Sequence, residues 1–363
     1  MRSGNRTSAH GGSGTADVKA AQAPGKPALS TENVIDYVRT RGVVPDGVSA
    51  QARELAGGIS NHVLRVGWSD RAVVVKQSLP MLRVAEVWEF DPRRILVECD
   101  CMRVLGDLLP EGAVPEVIDL DRDRLAFTMS CAPPGGVVWK DALLRGEVDV
   151  AVARRAGELL ASVHRGSAAE PRLAGRFGDL MPLIQGRTQP YHRTAAQAHP
   201  DLADVIEADI ERLTTNRRAL VLGDYSPKNL IVYQDHVMAL DFEVAHWGDP
   251  AFDTAFMLTH LVAKAVHRSD DSDAYLAAAR EFWRAYGAAA GHLGASEADT
   301  VAELGVLLLC RVDGKSKLEY LSAEHRELVR ALAVGLIGSG EHDLGRVFEA
   351  VAALQPRRAG ALR

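Results

Sequence analysis

The chain changes character once, near residues 130–136, and that change limits its architecture more than any other feature. Before it lie short β-prone segments: ARELAGGISNHVLRV, RAVVVKQSL, VPEVIDLD and RLAFTMS. Turn signals at Gly57-Gly58, Trp68-Ser69-Asp70 and Asp121-Arg122-Asp123 separate them, as in an antiparallel sheet built of hairpins. One helix interrupts this run. Asp91-Pro92 reads as a cap followed by proline at the first helical position, Ile95, Cys99, Met102, Leu105 and Leu109 form its apolar stripe, and Pro110 ends it. After the linker SCAPPGG the pattern turns helical. Val152, Ala156, Leu159, Leu160 and Val163 place a helix over 149–166, and further helical patterns cover 201–214, 252–267, 272–289, 298–310 and 322–338. A helix over 31–40, capped by Ser30 or Thr31, precedes the sheet. The expected organisation is a tail over 1–30, a small β lobe over 31–130 and a larger helical lobe over 131–363.

Bulk properties narrow the function by exclusion. A chain of 363 residues is long enough for two lobes, each with a core. Its net charge of −6 carries no footprint for nucleic acid or an anionic membrane surface. The longest apolar runs, such as Val306 to Cys310, are far too short to span a bilayer. Cys99, Cys101, Cys131 and Cys310 have no metal or disulfide spacing, so they read as reduced thiols of a cytoplasmic protein. The first residues, rich in Gly, Ser, Ala and Pro, lack the apolar core of a secretion signal and read as a disordered tail. Oligomeric state leaves no mark in the sequence.

The helical half holds one expected β element, a hairpin of LIVY and HVMAL around Gln234-Asp235. Asn229 stands just before its first strand and Asp241 just after its second, so antiparallel pairing brings them side by side. Asp224 sits on the loop leading in. Two acids and an amide oxygen at one hairpin mouth suit a hard cation such as Mg²⁺; the plainer reading is turn formation, which Asp and Asn favour.

Asp224-x4-Asn229 followed by the hairpin and Asp241-Phe242-Glu243 resembles the protein-kinase-like phosphotransferases, most closely the aminoglycoside phosphotransferase and choline kinase branch. GDPAFDTAF, residues 248–256, is similar to the helix start that follows the metal aspartate in that branch. The resemblance implies an α+β, bilobal protein-kinase-like fold: a small antiparallel β lobe with one helix and a larger, mainly helical lobe. It implies ATP and Mg²⁺ as cofactors, Asp224 as the catalytic aspartate that accepts the acceptor proton, and Asn229 and Asp241 as the metal ligands. A lysine and a glutamate are then due from the β lobe. Lys76, closing AVVVK, and Glu98, on the edge of the apolar stripe, are the candidates; an exposed surface pair is the alternative. Asp100 faces away. Gly58 and Ser60 in GGISN occupy the place of a phosphate-covering turn, and Met129 to Cys131 at the lobe junction would offer backbone groups to adenine. Lys228 reads either as a neutraliser of the moving phosphoryl or as a solvated loop lysine.

Leu222 departs from the family, whose Gly-Asp is preceded by a histidine that holds the catalytic loop; an apolar residue here continues the buried strand, and packing would replace the bond. Asp313 to Ser316, DGKS, ends like a phosphate-binding loop, but Leu309 stands where glycine is required. Arg311, Asp313 and Lys315 read as a solvated helix end or as contacts to a substrate phosphate, carboxylate or hydroxyl. His164 reads as structural. His260 and Lys264 share a helix face that could look into the cleft, with no zinc pattern beside them. Eight residues separate Asp241 from Pro250, too few for the segment on which protein kinases hold a peptide. The expected acceptor is therefore a hydroxyl of a small molecule: an aminoglycoside or other antibiotic, a sugar such as methylthioribose, or an amino alcohol. Antibiotic resistance is one of several roles open to such an enzyme, and a nucleotide-binding pseudokinase is the alternative reading.

Overall fold

The computed structural model describes residues 27–55, 61–79, 88 and 90–354. Five antiparallel strands form the first sheet: β1 (Ala50–Glu54), β2 (Asn61–Trp68), β3 (Arg71–Ser78), β4 (Val117–Asp121) and β5 (Ala126–Ser130), in the order β1-β2-β3-β5-β4. β3 is central, and its alternation sorts its side chains to two faces. Val73 and Val75 join Leu64, Val66 and Trp68 in a core covered by helix α1 (Val34–Thr40). Val74 belongs to the opposite face, with Phe127, Met129 and the apolar side of α2 (Arg94–Leu108). Lys76, two residues on, shares that inner face.

α2 begins at Arg94, two residues later than its sequence suggests. The Asp91 carboxylate accepts from the Arg93 backbone N–H at 2.8 Å and from its guanidinium, forming a local turn in place of a cap. The signals Gly57 to Ser60 and the residues of the tail, 1–26, lie outside the described residues.

The helical half carries more strand than the sequence suggests. β6 (Val137–Val138) pairs with β8 (Leu230–Tyr233), which pairs in turn with β9 (His236–Ala239). β7 (Ala219–Val221) pairs with β10 (His246–Gly248). These added strands are two or three residues long, too short for a period-2 signal. Around them stand α3 (Trp139–Leu144), α4 (Val150–Ala168), α5 (Arg172–Arg176), α6 (Met181–Leu183), α7 (Thr194–Ala198), α8 (Ala203–Thr215), α9 (Ala251–His267), α10 (Ser272–Ala290), α11 (Glu297–Asp313), α12 (Ala323–Ser339) and α13 (Leu344–Ala353). α4 starts at the cap Asp149, whose carboxylate accepts from the Ala151 N–H at 2.8 Å. It lies so close to α10 that a Cβ at Gly157 would meet the Phe282 carbonyl at 2.4 Å. The small β lobe with one inner helix and the large helical lobe form a protein-kinase-like α+β fold. Among the described residues no helix is long and apolar enough to cross a membrane.

Between α6 and α7 the chain makes a π-helix, Ile184–Arg193, with Pro190 inside it. Sequence patterning leaves this stretch unassigned: Gly186, Gln185 and Pro190 interrupt any 3.6-residue period. One of its residues, the fully buried His192, joins an ionic cluster with α8 and α11. His192 Nε2 lies 3.3 Å from Glu303 and 3.6 Å from Asp209, and Arg212 donates to Asp209 at 2.7 Å, to Glu303 at 2.9 Å and to Asp249. Burial opposes a charged His192, but Glu303 and Asp209 outweigh it and raise its pKa to about 9. Burial, with Asp209 beside it, raises Glu303 to about 8. Both groups hold their protons to higher pH when folded than when unfolded, so their contribution to stability falls as pH rises, from 4.5 to about 8 for Glu303 and from 6.5 to about 9 for His192. Thermal unfolding followed by circular dichroism should show the Tm advantage of the parent over His192→Asn shrinking as pH rises through the His192 window.

Candidate active site

The cleft between the lobes has a volume of about 540 Å³ and is lined by Lys76, Glu98, Met129, Asp224, Lys228, Asn229 and Asp241 among others. Lys76 Nζ lies 2.7 Å from Glu98 Oε1 and 2.7 Å from Asp241 Oδ1. The expected pair is thus present, and it is buried: Glu98 is 1% exposed. Desolvation alone would lower the Lys76 pKa, but Asp241 and Glu98 overcome it and hold the ammonium above its ordinary value. Burial pushes Asp241 up while Lys76 and Lys228 pull it down more strongly, to about 2. Asp100 turns outward to Arg176, which donates at 2.6 Å.

The hairpin mouth closes as its sequence suggests. Leu240 N–H donates to the Asn229 carbonyl at 2.9 Å, so Asn229 and Asp241 are neighbours across the β8–β9 pair. Asp241 has φ +67°, a left-handed conformation that aspartate tolerates better than most residues. Asn229 Nδ2 donates to the Asp224 carbonyl at 3.0 Å, which leaves the amide oxygen available to ligate a cation. Asp224, Asn229 and Asp241 therefore offer the cleft an all-oxygen set, the chemistry a hard divalent cation requires.

Asp224 meets two cations at one oxygen. Lys228 Nζ is 2.8 Å and Arg187 Nη2 is 3.1 Å from Asp224 Oδ2, whereas Oδ1 has no hydrogen-bond partner. Arg187 comes from the π-helix and is absent from any sequence reading of the site. Its Nε donates to the Gly223 carbonyl at 2.7 Å, and its guanidinium lies 5.2 Å from the Tyr191 ring and 5.3 Å from that of Phe256. Burial works against its charge, but Asp224 raises its pKa.

The Asp224 loop is held by its backbone. Leu222 and Gly223 donate their N–H groups to the fully buried Asp253 carboxylate at 2.7 and 2.8 Å. His164 is structural: its Nε2 lies 3.2 Å from the same carboxylate and its Nδ1 2.9 Å from Tyr286 Oη. Leu222 packs in the core at 2% exposure, so an apolar side chain suffices there. Gly223 is required twice over, by φ +73° and by Val244, whose Cγ1 would lie 2.7 Å from an added Cβ. Glu243 gathers Asn61 Nδ2 at 2.9 Å and Arg94 Nε at 3.1 Å, linking the first residue of β2 and the start of α2 to the segment after β9. Met129 lines the cleft; Cys131, half-buried just beyond β5, is not among its lining residues.

The profile of the APH phosphotransferase enzyme family matches residues 51–292. The chain belongs to that family. Among curated relatives, methylthioribose kinase of Bacillus cereus is 23% identical over 275 residues, covering 69% of this chain and 70% of that protein. Methylthioribose kinase of Bacillus mycoides is likewise 23% identical, over 68% of this chain and 69% of its own. Among solved structures, choline kinase of Cryptosporidium parvum superposes with a TM-score of 0.54 at 11% identity, covering 90% of this chain and 99% of that one. A choline/ethanolamine kinase family protein of Mesorhizobium loti gives 0.51 at 16% identity, covering 88% and 99%. An amicoumacin kinase solved with AMP-PNP and Ca²⁺ gives 0.51 at 15%, covering 84% and 93%. The chain is accordingly a kinase-type phosphotransferase of that family.

Asp253 carries a direct test of the loop geometry. Asp253→Ala strands two buried backbone donors and the His164 ring, and should cost about 3–5 kcal/mol of stability in urea denaturation.

Proposed function

We propose that the protein transfers the γ-phosphate of ATP to a hydroxyl of a small molecule bound beside Asp224. The observation that carries this reading is the convergence of Lys76, Glu98 and Asp241 from two lobes on one cleft that also holds Asp224 and Asn229. Lys76, fixed between two carboxylates, would meet the α- and β-phosphates. Gly58 and Ser60 would cover the phosphates, and backbone groups of Met129 and Cys131 would face adenine. Asn229 and Asp241 would hold Mg²⁺, which when bound offsets phosphate charge. The free Asp224 Oδ1 accepts the proton of the acceptor hydroxyl as its oxygen bonds to phosphorus; the bond from phosphorus to the bridging oxygen breaks, and ADP leaves with that electron pair. Lys228 and Arg187, both on Oδ2, orient the carboxylate and add positive charge near the moving phosphoryl.

Eight residues between Asp241 and Pro250 leave little room for a peptide platform, which supports a small acceptor. The named relatives, methylthioribose kinases, support a sugar-like alcohol. Asp224→Ala should lower turnover about 10³-fold in an ADP-release assay with nucleotide affinity nearly intact. Asp241→Ala should instead weaken Mg-ATP binding measured by calorimetry. Full activity of Asp224→Ala would remove the role given to this carboxylate.

A further inference from the structure

Past Asp224, the cleft is walled by Tyr191, Ser316 and Lys140, and immediately behind that wall the cations lose their partners. Arg311 is buried; its Nη1 donates to Tyr191 Oη at 2.9 Å and Ser316 Oγ at 2.8 Å, while its Nε has no acceptor. Lys264 is fully buried. Its ammonium has one long contact, 3.5 Å to the His260 carbonyl, and lies 4.9 Å from the Tyr320 ring. His260 Nε2 and Tyr320 Oη, both buried atoms, also lack partners. Among the described residues no carboxylate forms an ion pair with Lys140, Lys264 or Arg311. Lys76, Arg94 and Arg187, the buried cations of the nucleotide side and the Asp224 loop, each meet at least one.

A buried cation without a counter-charge is costly unless it gives up its proton or a ligand supplies the charge. Burial first, and then repulsion from Lys140 and Arg311, bring Lys264 down to about 7; burial, Arg311 and Lys264 hold His260 well below its ordinary value. Ring contacts link these groups: Arg311 lies 5.5 Å from the Tyr191 ring, Tyr191 stacks on Phe256 at 6.3 Å, and Phe256 meets the ring of His260, whose carbonyl accepts from Lys264. The cluster belongs to α3, α9 and α11, whereas the Lys76 ammonium comes from the β sheet. Tyr191 joins the two regions, with Arg187 5.2 Å and Arg311 5.5 Å from its ring.

We propose that the acceptor is an anionic alcohol, whose hydroxyl meets Asp224 and whose carboxylate or phosphate is bound by Arg311, Lys264 and Lys140. The inference rests on the small-molecule kinase reading and gives it a substrate class. A polycationic aminoglycoside or a choline-like amine would bring positive charge to a cleft wall backed by Arg311 and Lys264, neither of which has a carboxylate partner among the described residues.

Calorimetry on the full chain loaded with Mg-AMP-PNP tests this, using matched titrants: glycerol, glycerate and glycerol phosphate; ribose, ribonate and ribose 5-phosphate; choline, kanamycin and inorganic phosphate. The anionic members of the glycerol and ribose series should bind more tightly than their neutral partners, phosphate should bind more tightly than choline or kanamycin, and the carboxylate and phosphate arms tell which anion is meant. Arg311→Gln and Lys264→Met should each weaken anion binding about ten- to a hundredfold with AMP-PNP affinity unchanged, and Arg311→Lys should recover part of the loss. Lys264→Met keeps the buried volume, so its fold survives for measurement. The proposal is overturned if neutral or cationic titrants bind better than the anions, or if both variants bind phosphate like the parent. Absence of AMP-PNP binding would instead defeat the kinase reading alone, because phosphate titration of the nucleotide-free variants still decides the anion site.

Discussion

The Lys76 ammonium lies 2.7 Å from a carboxylate on α2 and 2.7 Å from one that follows β9, and the two lobes depend on that arrangement to form one site. Lys76 and Glu98 are removed from water and Asp241 is partly so, and such burial costs several kcal/mol for each ion unless the charges satisfy one another. Here a single ammonium serves two carboxylates, so the group that would be hardest to bury alone becomes the hinge of the cleft. Arg94 and Glu243 repeat the device nearby, with Asn61 as the neutral third partner. Both arrangements tie α2 to the segment after β9. A rotation of α2 would therefore break the two together, and with them the geometry around Asp241.

Rigidity in the helical lobe comes from a different source. The Asp224 loop is irregular backbone in a fully packed interior, and such backbone needs partners for its N–H groups. Asp253 provides them from the first turn of α9, and His164 from α4 steadies Asp253. A histidine side chain within the loop is then dispensable, because the loop is gripped by its main chain. Leu222 is free to serve the core.

What was legible in the sequence follows the range of the physical signals. Lys76 and Glu98 could be singled out because the family resemblance called for a lysine and a glutamate from the β lobe, and the end of a strand and the edge of a helical stripe offered one of each. Asn229 and Asp241 could be paired because a hairpin joins them at short range. Arg187 could not, since proline and glycine erase the period of its segment and its partner Asp224 lies far along the chain. Asp253 was visible only as part of a helix start, and its hold on Leu222 and Gly223 is a tertiary contact. The triplet at 311–315 split in a way no pattern foretold: Asp313 is spent on Arg330 at 2.7 Å and on His199 at 2.8 Å, while Arg311 turns inward. Lys315 is exposed.

The wide spiral at Ile184–Arg193 has an implication for how this enzyme can vary. Bonds in a π-helix run from each residue to the fifth one back, so it carries more residues per turn than the helices at either end. Removing one residue there would let the coil relax to ordinary α pitch, and every side chain beyond the deletion would swing around the axis. Arg187 and Tyr191, one touching Asp224 and the other touching Arg311, are four residues apart and would swing together away from both partners. The length of this stretch is therefore as constrained as its side chains Arg187, Tyr191 and His192.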